Sequence, residues 1–242
     1  MIVGGSGKTP ITLELAKRYN NVAIVLRGYK RESKGLVVVS LKGEIQTDTK
    51  RSGDEAMLYA TTLKNSTVIV SEDRVKAIKK AKDLGAKIIF LDDGFSKFSI
   101  KKFDILLKPN QKLLPFSLPS GAYRFPPFFY RYANLVLEEE KDFIREVEIE
   151  NPTKNMIFLT AISKPDRLNR YLPKNIVKIT LPDHSDFSQE FIDNLIKKYN
   201  PTSILTTTKD EVKLKKYNLA LSILRLKIRF TKEIRIPDAK ED

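Results

Sequence analysis

The chain has no cysteine. That excludes disulfides and thiolate metal centres, and it suits a reducing compartment. It has one histidine, His184, so imidazole chemistry has one possible address. No stretch approaches the roughly 18 consecutive apolar residues of a membrane-spanning helix. Because Met1 leads directly into the first motif, no secretory leader is expected, and no repeat recurs at a solenoid period. Any membrane contact is therefore expected to be peripheral. Acidic residues are the minority, 30 against 44 Lys and Arg, and the formal net charge is +14. Such a surface attracts nucleic acid, anionic membrane or phosphorylated substrates; solvated lysine-rich faces with no partner would give the same count. With 41% hydrophobic and 31% charged residues in a chain of 242, the composition is that of a globular protein with one large or two modest domains.

What is present begins at once. Gly4-Gly5-Ser6-Gly7-Lys8-Thr9 is a glycine-rich loop ending in Gly-Lys-Thr. Glycines let successive N–H groups turn towards an anion. Lys8 would reach the β- and γ-phosphates of a nucleotide, and the Thr9 hydroxyl would hold Mg²⁺. Apolar spacing over residues 11–19 predicts a helix, whose N-terminal dipole also favours phosphate, and Pro10 sits early in it, where a missing N–H costs little. The full loop pattern asks for glycine where Ile2 stands. Such a loop ordinarily follows a buried strand, and only Met1 to Val3 precede this one. The reading is that the strand is absent or that the chain is a shortened form of something longer.

Further along, Val22-Ala-Ile-Val-Leu26 reads as a short buried strand. Strands are expected at 36–39, 66–70, 87–91, 102–107 and 135–137, with helices at 55–63 and 74–84 and a polar loop over 48–53. The alternation predicts a P-loop NTPase-like α/β fold, a mostly parallel sheet flanked by helices. Residues 110–127, with four prolines, read as a long loop. The acidic stretch 138–151 suggests a boundary, dividing a nucleotide-binding domain (1–150) from a smaller α/β domain (151–242). In the latter, strands are expected at 156–159, 176–181 and 203–206, helices at 165–171, 189–199 and 210–216, and two strands in the tail, 221–236.

Asp92-Asp93 closes an apolar strand, the placement of the acid that holds a nucleotide's Mg²⁺; an acidic turn is the plainer alternative. Asp54 opens a helix after Gly53, where a capping role suffices. His184 lies between Asp183 and Asp186 in a polar loop, where carboxylates could orient it. Thr206-Thr-Thr-Lys209-Asp210 follows a strand and starts a helix, a place for an anion or a cap. Arg27, Arg74 and Arg124 lie near strand ends and loops, and arginine suits bidentate phosphate recognition.

Taken in order, these pieces resemble the tetraacyldisaccharide 4'-kinase family. Gly4 to Pro10 is similar to its phosphate loop, with Ser6 for threonine. Arg27-Gly28-Tyr29, Gly53-Asp54-Glu55 and Asp92-Asp93-Gly94-Phe95 match further motifs, and Leu118 to Pro126, Asp183-His184 and Thr207 to Asp210 resemble others. The resemblance runs from residue 4 to about 213. It implies ATP-dependent phosphorylation of the 4'-hydroxyl of a tetraacyl glucosamine disaccharide 1-phosphate in lipid A biosynthesis. It implies Mg²⁺, two α/β domains with a cleft between them, and a peripheral position on the cytoplasmic face of an anionic inner membrane. It also implies that Asp54 takes the proton of the sugar hydroxyl with His184 as its partner; Arg27, Arg74 and Arg124, by placement and chemistry, are the substrate-binding candidates. The chain departs from the family at Ser96-Lys97, where Gln-His is usual, at Phe125, where a glutamate is usual, and in starting without the family's N-terminal region. Two other readings remain: a P-loop kinase or ATPase with a different acceptor, and a basic nucleic-acid-binding module. The second predicts clustered basic and aromatic residues, and Arg124 to Arg131 is one such cluster. It also suits a membrane-facing loop, so no nucleic-acid partner is expected.

Overall fold

The computed structural model describes residues 7–108, 116–118, 120–121 and 123–237. Gly4, Gly5 and Ser6 of the phosphate loop, and Pro115 and Pro119 of the proline-rich loop, lie outside the described residues.

The first lobe is organised on strand β1 (Val22–Leu26). Its five residues are all buried, as in a strand covered on both faces. Alternation along it separates two cores. Val22, Ile24 and Leu26 face helices α1 (Lys8–Ala16) and α3 (Asp54–Thr62), packing with Ala16, Ala56, Tyr59 and Ala60. Ala23 and Val25 face the other way, onto Ala77 and Ala81 of α4 (Arg74–Asp83). β1 pairs in parallel with β4 (Thr67–Val70) and β5 (Ile88–Leu91). A hairpin of β2 (Val37–Leu41) and β3 (Glu44–Ile45) adds antiparallel to β4, giving the order β3-β2-β4-β1-β5. The parallel expectation thus holds for β4, β1 and β5 and not for the β2–β3 hairpin on the far side of β4. The expected loop 48–53 is in fact a one-turn helix, α2 (Thr49–Ser52), because the Asp48 carboxylate caps it by accepting from the Arg51 N–H at 2.9 Å.

β6 (Ile105–Lys108) and β7 (Leu135–Glu138) form a separate parallel pair. The second lobe is a sheet of order β10-β9-β11-β12-β8, made of β8 (Phe143–Glu150), β9 (Met156–Thr160), β10 (Val177–Thr180), β11 (Ser203–Thr207) and β12 (Leu221–Phe230). Helices α5 (Gln189–Tyr199) and α6 (Thr208–Leu214) accompany it.

Two sequence expectations change here. The tail is one ten-residue strand, not two. The acidic stretch 138–151 contains a full strand, β8, and this strand belongs to the second sheet although it lies before residue 150. The acidity is one face of that strand. Glu146 and Glu150 pair diagonally with Arg229 and Arg225 of β12 at 2.7 and 2.8 Å, and Glu148 pairs with Lys227. Alternating charge meets alternating countercharge, which favours one long antiparallel pair over two short strands.

The two sheets share a helix. Ile11 and Leu15 of α1 pack with Leu107, Leu137, Phe143, Ile228 and Ile234, so the helix behind the phosphate loop is buried against both lobes. Inside the second lobe, the fully buried Asp210 carboxylate fastens β9 to the start of α6. One oxygen accepts from the Thr160 hydroxyl at 2.6 Å, the Ala161 N–H at 3.2 Å and the Thr207 hydroxyl at 2.9 Å. Hydrogen bonds to a charged group contribute about 1.5–3 kcal/mol each when broken singly. Asp210→Ala should therefore lower the unfolding free energy by at least about 3 kcal/mol in urea titrations. A loss under about 1 kcal/mol would show that these bonds do not hold the lobe.

Candidate active site

β1, β4 and β5 run parallel, so their carboxyl ends open on the same side, where ligands bind in open α/β sheets. Arg27, Ser71 and Asp92 follow those three ends.

The phosphate loop feeds α1 through Gly7, the N-cap, in the left-handed region at φ 85°. A Cβ there would lie 2.6 Å from Nη2 of Arg145. The positive φ is what favours glycine here; a side chain would also displace the Arg145 guanidinium. Arg145 reaches the loop from β8 and is also paired with Glu139 at 3.1 Å. It is a cation at the phosphate loop that the sequence did not disclose, because it lies in the strand hidden within an acidic stretch.

Lys8 lies 3.9 Å from Asp93, whose other oxygen accepts from Arg124. Asp93 thus bridges the loop lysine to the one described arginine of the long loop that had been singled out. Asp92 differs. It is buried, it accepts from the Tyr59 hydroxyl at 3.1 Å, and its carboxyl is pushed up to about 6 by burial and by the nearby charge of Glu55. Tyr59, buried on α3, is a site residue that its aromatic type alone marked only as core. Arg74 is buried too, its guanidinium donating to the carbonyl of Ser71 at 2.6 Å and, at 3.5 Å, to that of Asp92. Burial lowers its pKa while Asp92 and Asp93 oppose the change. Arg27 is exposed at the end of β1.

Mg²⁺ asks for a particular set of donors. A hard cation of this size takes one or two carboxylates together with phosphate and water oxygens. Among the described residues no three carboxylate or imidazole groups form a metal cluster. Asp92 is a buried carboxyl raised by desolvation and a like charge, the state a bound cation relieves, and Thr9 is the second residue of α1. These two fit. Asp93 already serves two cations of the protein.

The second cluster joins the lobes. Asp54 is the first residue of α3, after Gly53 at φ 83°. Its carboxylate accepts from His184 Nδ1 at 3.2 Å and from Lys213 Nζ at 2.9 Å. Burial alone would raise this carboxyl; the bonds from His184 and Lys213 outweigh it and hold it below the ordinary range. His184 Nε2 faces Lys209 Nζ at 3.4 Å. A carboxylate can only accept and an ammonium only donate, so the Nδ1–H tautomer satisfies both contacts. The backbone fixes the ring's place. His184 sits at φ 67° and its N–H donates to the Ala161 carbonyl at 3.1 Å, next to the Asp210 knot. Lys213 also donates to the Ser185 carbonyl at 3.0 Å, and Tyr29 packs edge-on to the imidazole, centroids 5.6 Å apart. Asp54 and His184, 130 positions apart, are thus in contact in the structure. Lys213 was not singled out from the sequence. The signal available was its spacing, four residues after Lys209 on one helix face.

A phosphate loop opening a helix, a buried acid at the end of the adjacent strand and a carboxylate–imidazole pair across a lobe junction define a P-loop phosphotransferase. The family described as tetraacyldisaccharide-1-P 4'-kinase matches residues 1–238, and the chain belongs to that family. It is 55% identical over 242 residues to the tetraacyldisaccharide 4'-kinase of Aliarcobacter butzleri (strain RM4018), an alignment covering 97% of this chain and 77% of the relative. It is 51% identical over 230 residues to that of Helicobacter pylori (strain 26695), covering 94% and 73%. Among solved structures it is similar to LpxK from Aquifex aeolicus in complex with ATP, with TM-score 0.79 and 28% identity over 96% of this chain and 82% of that one.

The state of Asp92 gives a stability prediction. Its folded pKa lies near 6 against an ordinary 3.8, so the native state holds the extra proton between those values. Stability then falls as pH rises from about 4 to about 6. Two pH units correspond to about 3 kcal/mol. Asp92→Asn removes the charge and should raise Tm at pH 7.5 without ligand, with the gain vanishing near pH 4. Calorimetric scans at the two pH values check it; an equal or lower Tm for the variant at pH 7.5 would refute the strained carboxyl.

Proposed function

We propose that this chain transfers the γ-phosphoryl group of ATP to the 4'-hydroxyl of a tetraacyl glucosamine disaccharide 1-phosphate, with Mg²⁺ held by Thr9 and Asp92, at the cytoplasmic face of an anionic inner membrane that it contacts peripherally. The observation that carries the reading is the Asp54 carboxylate, kept ionised and oriented from the opposite lobe by His184 and Lys213. A sugar hydroxyl is a poor nucleophile until a positioned base accepts its proton. In this mechanism the hydroxyl oxygen forms the new P–O bond, its proton passes to Asp54, and ADP leaves with the electrons of the broken bond. His184 orients the carboxylate. Lys213 opposes premature protonation and fixes the turn that carries the imidazole. Lys8, steered by Asp93, and Gly4 to Gly7 cradle the phosphates. Mg²⁺ held by Thr9 and Asp92 would neutralise charge on the transferring phosphoryl group. Arg27 and Arg124 are the arginines placed for substrate phosphate. Arg74 acts through the Asp92 backbone that its guanidinium holds. Among the described residues no helix is long and apolar enough to cross a membrane. The two lobes of the proposal meet near residue 140, so that β8 goes with the second.

Steady-state kinetics on the lipid disaccharide test this. Asp54→Asn and His184→Ala should each lower kcat by about 10²–10⁴-fold with ATP affinity nearly intact, and the double variant should be little worse than the worse single one. Lys8→Ala should instead abolish ATP binding in calorimetry. Near-wild-type kcat in Asp54→Asn, or additive losses, would return both residues to cap and loop. Turnover of ATP with another sugar and none with the lipid would move the reading to a kinase of different acceptor.

A further inference from the structure

Six aromatic rings on the surface belong to no core. Phe95, Phe98, Phe125 and Phe129 pack against one another with centroids 5.3 to 6.5 Å apart, and Phe128 and Tyr132 lie on Phe129 at 4.7 and 5.7 Å. None of the six joins the buried clusters that hold the sheets. Phe98, Phe128 and Tyr132 are 63%, 53% and 57% exposed. Isolated exposed aromatics need no explanation, but a contiguous packed patch marks a contact surface.

The charge around it selects the occupant. The Arg131 guanidinium stands over Phe128 at 5.4 Å and over Tyr132 at 4.9 Å, and Lys97 and Lys101 are exposed in the segment that carries Phe98. No acidic residue lies within 94–103 or 124–134. Rings with cations at their edge and no anion between them match the headgroup zone of an anionic bilayer, where aromatics settle and basic side chains meet phosphates. Position agrees. Phe95 and Phe125 line a cavity of about 430 Å³ together with Lys8, Asp93 and Arg124, so the patch continues into the kinase centre. A lipid acceptor drawn from a bilayer would need no other path.

We propose that this ring cluster is the surface on which the protein docks to anionic bilayer, with Phe98, Phe128 and Tyr132 entering the acyl boundary and Arg131 pairing with headgroup phosphates. The proposal rests on the lipid-acceptor reading above and specifies the surface that reading leaves open.

The chain has no tryptophan, so Phe128→Trp provides a single reporter at an exposed site. With phosphatidylglycerol-containing vesicles its emission should shift to the blue and be quenched by brominated acyl chains. Arg131→Glu should weaken vesicle partition roughly thirtyfold, since one basic residue near such a surface contributes on the order of 1 kcal/mol and reversal counts about twice. It should leave turnover of a detergent-dispersed acceptor unchanged. A reporter that stays in water while the protein still sediments with vesicles assigns docking elsewhere and overturns the proposal. Absence of vesicle binding, or binding indifferent to anionic lipid, overturns it as well. Turnover of a deacylated, water-soluble disaccharide reports on the catalytic reading alone, so failure of the patch and failure of the function are distinguishable.

Discussion

One carboxylate ties the architecture to its chemistry. Asp54 belongs to the first lobe, and the lysine and imidazole that hold it belong to the second. Taking a carboxylate and an ammonium out of water costs several kcal/mol each, and their attraction offsets this only when geometry and further hydrogen bonds are good. Here they are: Lys213 has a second acceptor in the Ser185 carbonyl, and His184 has a second polar neighbour in Lys209. The arrangement contributes little net stability but has one geometry in which it is satisfied. That geometry is what a base for a sugar hydroxyl requires, and it specifies how the lobes sit.

The rest of the fold serves this contact. α1 gives Ile11 and Leu15 to a core shared with β12 and β8, so this helix cannot shift against the second sheet without opening that core. α3 carries Asp54 at its first residue and Tyr59 further along, and the Tyr59 hydroxyl holds Asp92. One helix therefore sets both the proposed base and the strand-end acid. On the other side, Asp210 holds Ala161, and Ala161 holds the His184 backbone. Two short chains of hydrogen bonds, one from each lobe, converge on the proposed reacting groups.

Much of this was legible in the sequence because it is local. β1 and α5 fall on the expected residues, since a five-residue β-branched run and an amphipathic stretch behind a serine cap need no tertiary information. Gly7-Lys8-Thr9 announces itself by residue type. The pairing of Asp54 with His184 could be expected only through resemblance to a family, because nothing local links positions 130 apart. Three features stayed hidden for one reason. β8 looked like an acidic linker because its partner charges lie on β12. Lys213 looked like one of many surface lysines because its burial comes from α6 meeting α3. Arg145 looked like a member of the same linker because its neighbour, Gly7, is far along the chain. Where a residue's meaning is set by a non-local partner, composition and periodicity describe the residue and miss the role.

The two key carboxylates make the final point. Asp54 and Asp92 are both substantially withdrawn from water, and burial pushes both upward. At Asp54 two donors reverse the effect, and the group stays below its ordinary range. At Asp92 burial comes first, the charge of another acid, Glu55, adds to it more than Lys8 takes away, and the group rises to about 6. Opposite shifts in neighbouring carboxyls divide roles between them. A group already satisfied by protein donors is ionised and positioned without help, as a base must be. A group left short of positive charge at neutral pH has its compensation still to come, as a cation ligand must. Exchanging the two environments would leave a protonated base and a ligand already neutralised by lysine. Under the proposed function, the division between proton acceptor and metal ligand follows from which carboxylate the second lobe reaches.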